Sequence, residues 1–166
     1  MQTKWNWDHE SHHPHQCLYS KKYELCYIPI PKVASSSIKN ALQWKDYNDF
    51  DDIKYNIKNF IVVLRDPIER WESAMNMFIR DDYYKSDEHT EQYSYFLQNV
   101  PFNKILFFYL TPTILQDIST YFNIPMNTNI TLNASKKAIK ILDRSIIEKT
   151  YATDIKFMNA INFVNI

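Results

Sequence analysis

The sequence predicts an α/β domain in which a short parallel sheet is flanked by helices. Segments with strand character alternate with segments of helical periodicity along the chain. The run Phe60–Leu64 is uninterrupted and mostly β-branched, which is typical of a strand buried on both faces of a parallel sheet. The 166 residues, 45% of them hydrophobic, suffice for one domain with one core.

Composition excludes several classes of function. The formal net charge is zero and the pI is near 7, so the usual electrostatic argument for a nucleic-acid partner does not apply. With no apolar stretch of membrane-spanning length, no signal peptide and only two cysteines, we expect a reduced, cytoplasmic protein with no membrane partner. The sequence does not indicate an oligomeric state. It contains no glycine, which excludes the glycine-rich P-loop and the Rossmann fingerprint as written.

Residues 1–20 are predicted to form a polar N-terminal arm, and residues 21–166 a single domain. The arm contains four histidines: His9, His12, His13 and His15. Histidine is a common metal ligand, but these are crowded together and no matching set follows downstream. We therefore expect no metal site, although the histidines could fold back over a site elsewhere.

The first strand is predicted within Lys21–Ile30, and a helix is predicted over Ser35–Lys45. A turn containing Lys32 and three serines joins them, with Ser35 or Ser36 as the expected N-cap. The first N–H groups of a helix have no partner inside the helix, and the helix dipole favours negative charge there. The turn is therefore predicted to bind a phosphate.

A second strand-to-helix junction follows Phe60–Leu64. Arg65 ends the strand, Asp66 is the expected N-cap, Pro67 starts the helix and Glu69 completes a capping box. The predicted apolar stripe of this helix consists of Ile68, Trp71, Met75, Phe78 and Ile79. Ser73 lies off that stripe, on the side of Arg70 and Met77.

The remaining elements are weaker predictions. Residues 46–59 are expected to form a loop with a short strand near Ile53–Ile57, and a helix is plausible within 88–99. A third strand is predicted over Lys104–Leu110. A helix from Pro112 to about Phe122 follows, and a long helical pattern then runs from Ser135 to the C-terminus, with a break near Thr150–Thr153.

Two anion-binding elements can thus be placed on the predicted sheet. One is the turn 31–37 and the other is Arg65, with Ser73 on the following helix. In an open parallel sheet, both would lie at the carboxyl edge, where ligands bind. A molecule with phosphates at two ends would span them.

The two motifs resemble those of the Golgi-type carbohydrate sulfotransferases. Pro-Lys-Val-Ala-Ser-Ser-Ser, residues 31–37, looks like the family's 5′-phosphosulfate-binding loop, and Arg-Asp-Pro-Ile-Glu-Arg-Trp-Glu-Ser-Ala, residues 65–74, looks like its 3′-phosphate-binding element. The segments Asn133–Ser135 and Tyr151–Asp154 are also similar to the family. The resemblance implies a P-loop-NTPase-like sulfotransferase fold. It also implies that 3′-phosphoadenosine 5′-phosphosulfate (PAPS) is the co-substrate and that no metal is used.

The resemblance implies a role for each matching residue. Lys32 would contact the 5′-phosphosulfate and stabilise the leaving phosphate, while Arg65 and Ser73 would hold the 3′-phosphate. The 5′-phosphosulfate would also bind the turn through Val33, Ala34, Ser35, Ser36 and Ser37. The implied reaction is transfer of the sulfuryl group to a hydroxyl acceptor, with a saccharide as the best expectation.

The residue that takes the acceptor's proton is left open by the sequence. Candidates are His89, an N-terminal histidine, or an acidic residue among Asp46, Asp49, Asp51 and Asp52.

The tyrosines of 83–95 could stack on sugar rings or simply pack. The chain is short for this family and carries no membrane anchor, which favours a soluble microbial or viral enzyme. The alternatives are a non-catalytic module that binds the nucleotide and a P-loop phosphotransferase.

Overall fold

Five strands form one mixed sheet. The computed structural model describes residues 17–47, 53–80, 90–132 and 144–166. The strands run in the order β3-β1-β2-β4-β5 across the sheet. They are β1 (Cys17–Ser20), β2 (Leu25–Tyr27), β3 (Lys45–Tyr47), β4 (Asn59–Leu64) and β5 (Ile105–Tyr109). Neighbours β2, β4 and β5 are parallel, whereas β1 is antiparallel to β2 and β3. The α/β class is confirmed, but the sheet is only partly parallel.

Six α-helices accompany the sheet in the described ranges. They are α1 (Ser35–Leu42), α2 (Pro67–Arg80), α3 (Tyr93–Leu97), α4 (Ile114–Phe122), α5 (Arg144–Thr150) and α6 (Ala152–Ala160). The predicted helix within 88–99 corresponds to α3, and the predicted break near 150–153 separates α5 from α6. The C-terminal helix ends earlier than predicted, and Phe163 beyond it forms a parallel bridge to Phe107 of β5.

The core is built on β4. All five residues from Phe60 to Leu64 are fully buried, as expected for a strand covered on both faces. The predicted inner face of α1, Ile38, Ala41 and Leu42, is buried as well. Phe157 of α6 packs edge-on against Phe107, with ring centroids 5.5 Å apart. The sheet therefore shares one hydrophobic cluster with α1, α3, α4 and α6.

Two short strands were not predicted. β1 includes the last four residues of the expected arm, so an arm can extend no further than residue 16. β3 begins at Lys45, where the first helix was expected to end, because α1 stops at Leu42 and Gln43 takes a left-handed conformation, with φ of 53°. Strands of three or four residues are too short to give a period-two signal. The strand expected near 53–57 is instead a turn with a 3₁₀ helix at Lys54–Asn56.

The buried face of α2 differs from the predicted apolar stripe. Arg70, Ser73 and Ala74 are buried, whereas Trp71 and Met75 are only half-buried. The side that carries Arg70 and Ser73, off the predicted apolar stripe, therefore faces the protein. Burial of an arginine requires partners from distant parts of the chain, which helical periodicity cannot show.

The two cysteines are not joined by a disulfide and lie buried in neighbouring strands, Cys17 in β1 and Cys26 in β2. Burial raises the pKa of the Cys26 thiol far above its ordinary value. None of the described helices is long and apolar enough to cross a bilayer.

Candidate anion-binding site

The two predicted anion-binding elements meet at one edge of the sheet. β2 and β4 are adjacent and parallel, so their carboxyl ends lie side by side, with residues 31–37 following one and Arg65 following the other. The Arg65 guanidinium donates through Nη1 to the Lys32 carbonyl, at 3.3 Å. A strand exit and a turn 33 residues apart in sequence are thereby in direct contact.

The turn after β2 has an unusual backbone. Lys32 and Ala34 have positive φ angles of 67° and 62°, on either side of Val33. Non-glycine residues seldom take this left-handed conformation, which costs about 1–2 kcal/mol each. Alternation of this kind can direct successive N–H groups to one side, as in anion-binding turns.

The predicted N-cap of α1 is wrong. The N-cap is Ala34, and among the described residues no side chain makes a capping hydrogen bond there. A methyl group cannot accept a hydrogen bond, so the first-turn N–H groups of α1 lack the side-chain acceptor that Ser35 or Ser36 was expected to supply. Within the described ranges, the N-cap residue therefore supplies no side-chain acceptor to that end of the helix.

The side chains of the turn divide into inward-facing and outward-facing ones. Val33 is fully buried and Ser37 is 3% exposed, whereas Ser36 is exposed. Lys32, like Ala34 and Ser35, is half-buried. Val33 could therefore contact a ligand only through its backbone, while the side chains nearest to solvent are those of Lys32, Ser35 and Ser36.

The junction after β4 is organised by side-chain hydrogen bonds. The Asp66 Oδ1 atom accepts the N–H groups of Ile68 at 2.9 Å and Glu69 at 3.0 Å, which confirms Asp66 as the N-cap of α2. The Glu69 carboxylate pairs with the Arg65 Nη2 atom at 3.2 Å. Because the Glu69 side chain is 56% exposed, this ion pair contributes little stability and is easily exchanged.

The Arg65 guanidinium keeps one unsatisfied donor. Its Nε atom is buried and has no hydrogen-bond partner within the described part of the chain. An unsatisfied buried donor costs about 1–3 kcal/mol, which favours an added acceptor.

Ser73 is 7% exposed and six residues inside α2, about 9 Å of helix rise beyond Pro67. Ser73 is therefore buried within the fold, whereas Arg65 is partly exposed at the edge.

Arg70 is a central residue of this region that sequence reasoning missed. It is 1% exposed, and its Nε donates to the Pro31 carbonyl at 2.9 Å. Its Nη1 donates to the Glu91 carbonyl, and its guanidinium lies 5.3 Å from the ring centroid of Tyr93. The motif contained Arg70, but no sequence signal indicated its burial, because its partners come from distant parts of the chain.

Burial has opposite effects on the pKa values of Arg70 and Asp154. It lowers the Arg70 pKa, opposed mainly by the nearby Tyr93 and Asp154. It raises the pKa of Asp154 to about 7, although a hydrogen bond from the Tyr93 N–H and the charge of Arg70 both oppose the rise. Each of these two charges therefore depends on the other to persist inside the protein.

The described residues leave the general base open. His89, one of the candidate bases, lies outside them, as do Asp49, Asp51, Asp52 and the N-terminal histidines. Asp46 is exposed in β3 and is paired in register with Leu18 of β1, which is paired in turn with Tyr27 of β2. Asp46 therefore lies about 10 Å from Tyr27, across two strand spacings. Of the predicted base candidates, it is the one whose position can be given.

The tyrosines that could have stacked on a sugar are placed only in part. Tyr93 is buried, and half-buried Tyr95 packs edge-on against Phe96 with ring centroids 5.0 Å apart. The Tyr93 ring is therefore closed to a sugar, and Tyr83 and Tyr84 lie outside the described residues. Within the described ranges, no three His, Cys, Asp or Glu side chains are grouped so that they could hold a metal ion.

Comparison of the chain with protein-family models, with curated proteins and with solved structures finds no match.

Proposed function

We propose that this chain is a PAPS-dependent sulfotransferase that transfers a sulfuryl group to a hydroxyl acceptor. The single observation that carries the proposal is the contact between the two motifs. Arg65 donates to the Lys32 carbonyl at 3.3 Å, so the two residues assigned to opposite ends of one nucleotide lie at one sheet edge. This is the arrangement that the resemblance to carbohydrate sulfotransferases requires.

The chemistry of the turn supports binding of the 5′-phosphosulfate. The α1 N-terminus lacks a side-chain cap among the described residues, and Ser35, Ser36 and Lys32 have partly or fully exposed side chains beside it. Backbone N–H groups, hydroxyls and one cation are suitable donors to the oxygens of a phosphosulfate. Lys32 would also stabilise negative charge on the departing phosphate.

The chemistry of the second junction supports binding of the 3′-phosphate. Arg65 has a planar guanidinium, an exchangeable ion pair with Glu69 and an unsatisfied Nε donor. A 3′-phosphate would replace Glu69 as its partner. Because Asp66 already caps α2, the N-terminus of that helix is less available to an anion, and the Arg65 side chain would supply most of the binding.

Sulfuryl transfer needs little covalent chemistry from the protein. It resembles phosphoryl transfer through a loose transition state, so positioning and charge stabilisation dominate the rate. The S–O bond to the 5′-phosphate breaks, the acceptor oxygen bonds to sulfur, and a base takes the acceptor's proton. The base remains to be identified, with His89 and Asp46 among the candidates.

Isothermal titration calorimetry of the full chain tests the proposal. We expect adenosine 3′,5′-bisphosphate, the product nucleotide, to bind more tightly than ATP–Mg²⁺. A preference for ATP–Mg²⁺ would instead indicate a phosphotransferase. If the bisphosphate binds, transfer of ³⁵S from labelled PAPS to a panel of sugars and phenols distinguishes an enzyme from a non-catalytic nucleotide-binding module.

A further inference from the structure

We propose that the phenol of Tyr93 is a positioning residue of the nucleotide site, because it holds the peptide backbone of Arg65 in place. The hydroxyl donates to the Arg65 carbonyl at 2.5 Å and accepts the Arg65 N–H at 3.2 Å. One hydroxyl thus satisfies both backbone polar groups of the residue assigned to the 3′-phosphate. The inference rests on the proposed function, which gives Arg65 that role.

The position of Arg65 explains why such a contact is needed. Leu64 is the last residue of β4, and its carbonyl still accepts a backbone N–H, from Leu110 at 2.7 Å. Arg65 lies one residue beyond the strand, where the ladder ends. The Tyr93 hydroxyl takes the place of a neighbouring strand and fixes the direction in which the Arg65 side chain leaves the sheet.

Tyr93 is itself held from two sides. Both carboxylate oxygens of Asp154 lie 3.0 Å from the Tyr93 backbone N–H, at the start of α3. The Arg70 guanidinium lies 5.3 Å from the centroid of its ring, within cation–π range. The Tyr93 side chain is fully buried, so it is constrained by packing as well. A rigid support of this kind places a binding group more accurately than an exposed loop can.

The same support reaches the other half of the site. Arg70 donates to the Pro31 carbonyl at 2.9 Å, immediately before the turn at Lys32. One buried group of residues, Arg70, Tyr93 and Asp154, therefore contacts the chain at the exits of both β2 and β4. The gap between the two phosphate-binding elements depends on this group.

Tyr151 provides a matched control. It is 3% exposed, its hydroxyl also donates to a backbone carbonyl, that of Thr90, and burial raises its pKa to about 12. Both phenols interact electrostatically with Arg70. They differ in the carbonyl that they hold, since Thr90 belongs to neither phosphate-binding element.

The test compares Tyr93→Phe with Tyr151→Phe in the full chain by calorimetry with adenosine 3′,5′-bisphosphate. Each variant loses one buried hydroxyl, so we expect similar falls in melting temperature. We expect Tyr93→Phe to weaken nucleotide binding about tenfold and Tyr151→Phe less than about twofold. In hydrogen exchange, the Arg65 amide should exchange at least about tenfold faster in Tyr93→Phe and at the wild-type rate in Tyr151→Phe.

The possible failures can be told apart. If the wild-type chain does not bind the bisphosphate, the proposed function is wrong and the inference fails with it. If the wild type binds but both variants lose equal affinity, the phenol is merely structural and only the inference is overturned. Unchanged exchange at the Arg65 amide in Tyr93→Phe would also contradict it, independently of any ligand.

Discussion

The two strand exits of the site solve the same structural problem in different ways. After β4, side-chain hydrogen bonds fix the chain, since Asp66 caps α2 and Tyr93 bonds the backbone of Arg65. After β2, backbone conformation turns the chain, since Lys32 and Ala34 take positive φ angles and no described side chain caps α1. The start of α2 is therefore already supplied with a side-chain acceptor, whereas the start of α1 has none among the described residues.

This difference suggests that the two strand exits bind different groups of the nucleotide. An uncapped helix start with strained backbone leaves N–H donors for an external anion, as expected for the 5′-phosphosulfate. A capped start leaves only the preceding arginine, as expected for the 3′-phosphate.

The largest effect is expected on the support of the β4 exit, through Asp154. Burial raises its pKa from 3.8 to about 7, so between these pH values the folded state holds a proton that the unfolded state releases. Stability should therefore fall as pH rises through this window, by about 1.4 kcal/mol per pH unit. Asp154→Asn should lack this fall, as measured by urea unfolding between pH 4 and pH 8.

If Asp154→Asn showed the same fall in stability with pH as the wild type, Asp154 would not carry the buried proton.

The next largest effect is expected at the β2 exit. Lys32→Ala should lower sulfuryl transfer about 100-fold, because the cation stabilises charge that builds up only as the phosphate leaves. Its affinity for adenosine 3′,5′-bisphosphate should fall less than about fivefold. Initial rates with labelled PAPS and calorimetry measure the two quantities. Lys39→Ala, in the helix that follows the turn, should change neither, and equal losses of rate and affinity in Lys32→Ala would contradict the assigned role.

At the β4 exit, Arg65→Ala should weaken binding of the bisphosphate about tenfold or more, since it removes a charge-assisted, potentially bidentate contact. Glu69→Gln removes the competing carboxylate and should leave the affinity equal or about twofold tighter. Calorimetry on both variants measures this contrast. If Glu69→Gln weakened binding as much as Arg65→Ala, the ion pair would itself be part of the site.

The smallest effects concern the helix ends. Asp66→Ala should destabilise the protein by about 1 kcal/mol through loss of the cap. Ala34→Gly should stabilise it by about 0.5 kcal/mol, because relief of the left-handed strain exceeds the added entropy of the unfolded chain. Urea midpoints compare them. A destabilised Ala34→Gly variant would mean that the turn is not strained.

The sequence predicted those features that depend on neighbours along the chain. The continuous run of β4 and the Asp66 cap are local signals, and both are present in the structure. The left-handed Ala34 was invisible, because a chain without glycine gives no marker for positive φ. The burial of Arg70 was also missed, since its partners at Pro31 and Glu91 are brought to it only by tertiary packing.

The candidate site follows the same pattern. The sequence predicted that the two candidate anion-binding motifs lie at one edge of the sheet, because parallel neighbouring strands end at the same edge. The proposed support by Tyr93 and Asp154 could not be predicted. These residues lie 61 positions apart and meet through a hydrogen bond to a backbone N–H, which the sequence does not indicate.

A crystal structure of the chain with adenosine 3′,5′-bisphosphate would show directly where the nucleotide binds. We predict the 5′-phosphate at the start of α1, bound by backbone N–H groups of residues 35–37 and by Lys32, and the 3′-phosphate on Arg65 in place of Glu69. A nucleotide bound at the opposite end of the sheet, for example in the groove lined by Lys21, Glu24 and Lys58, would contradict the central claim.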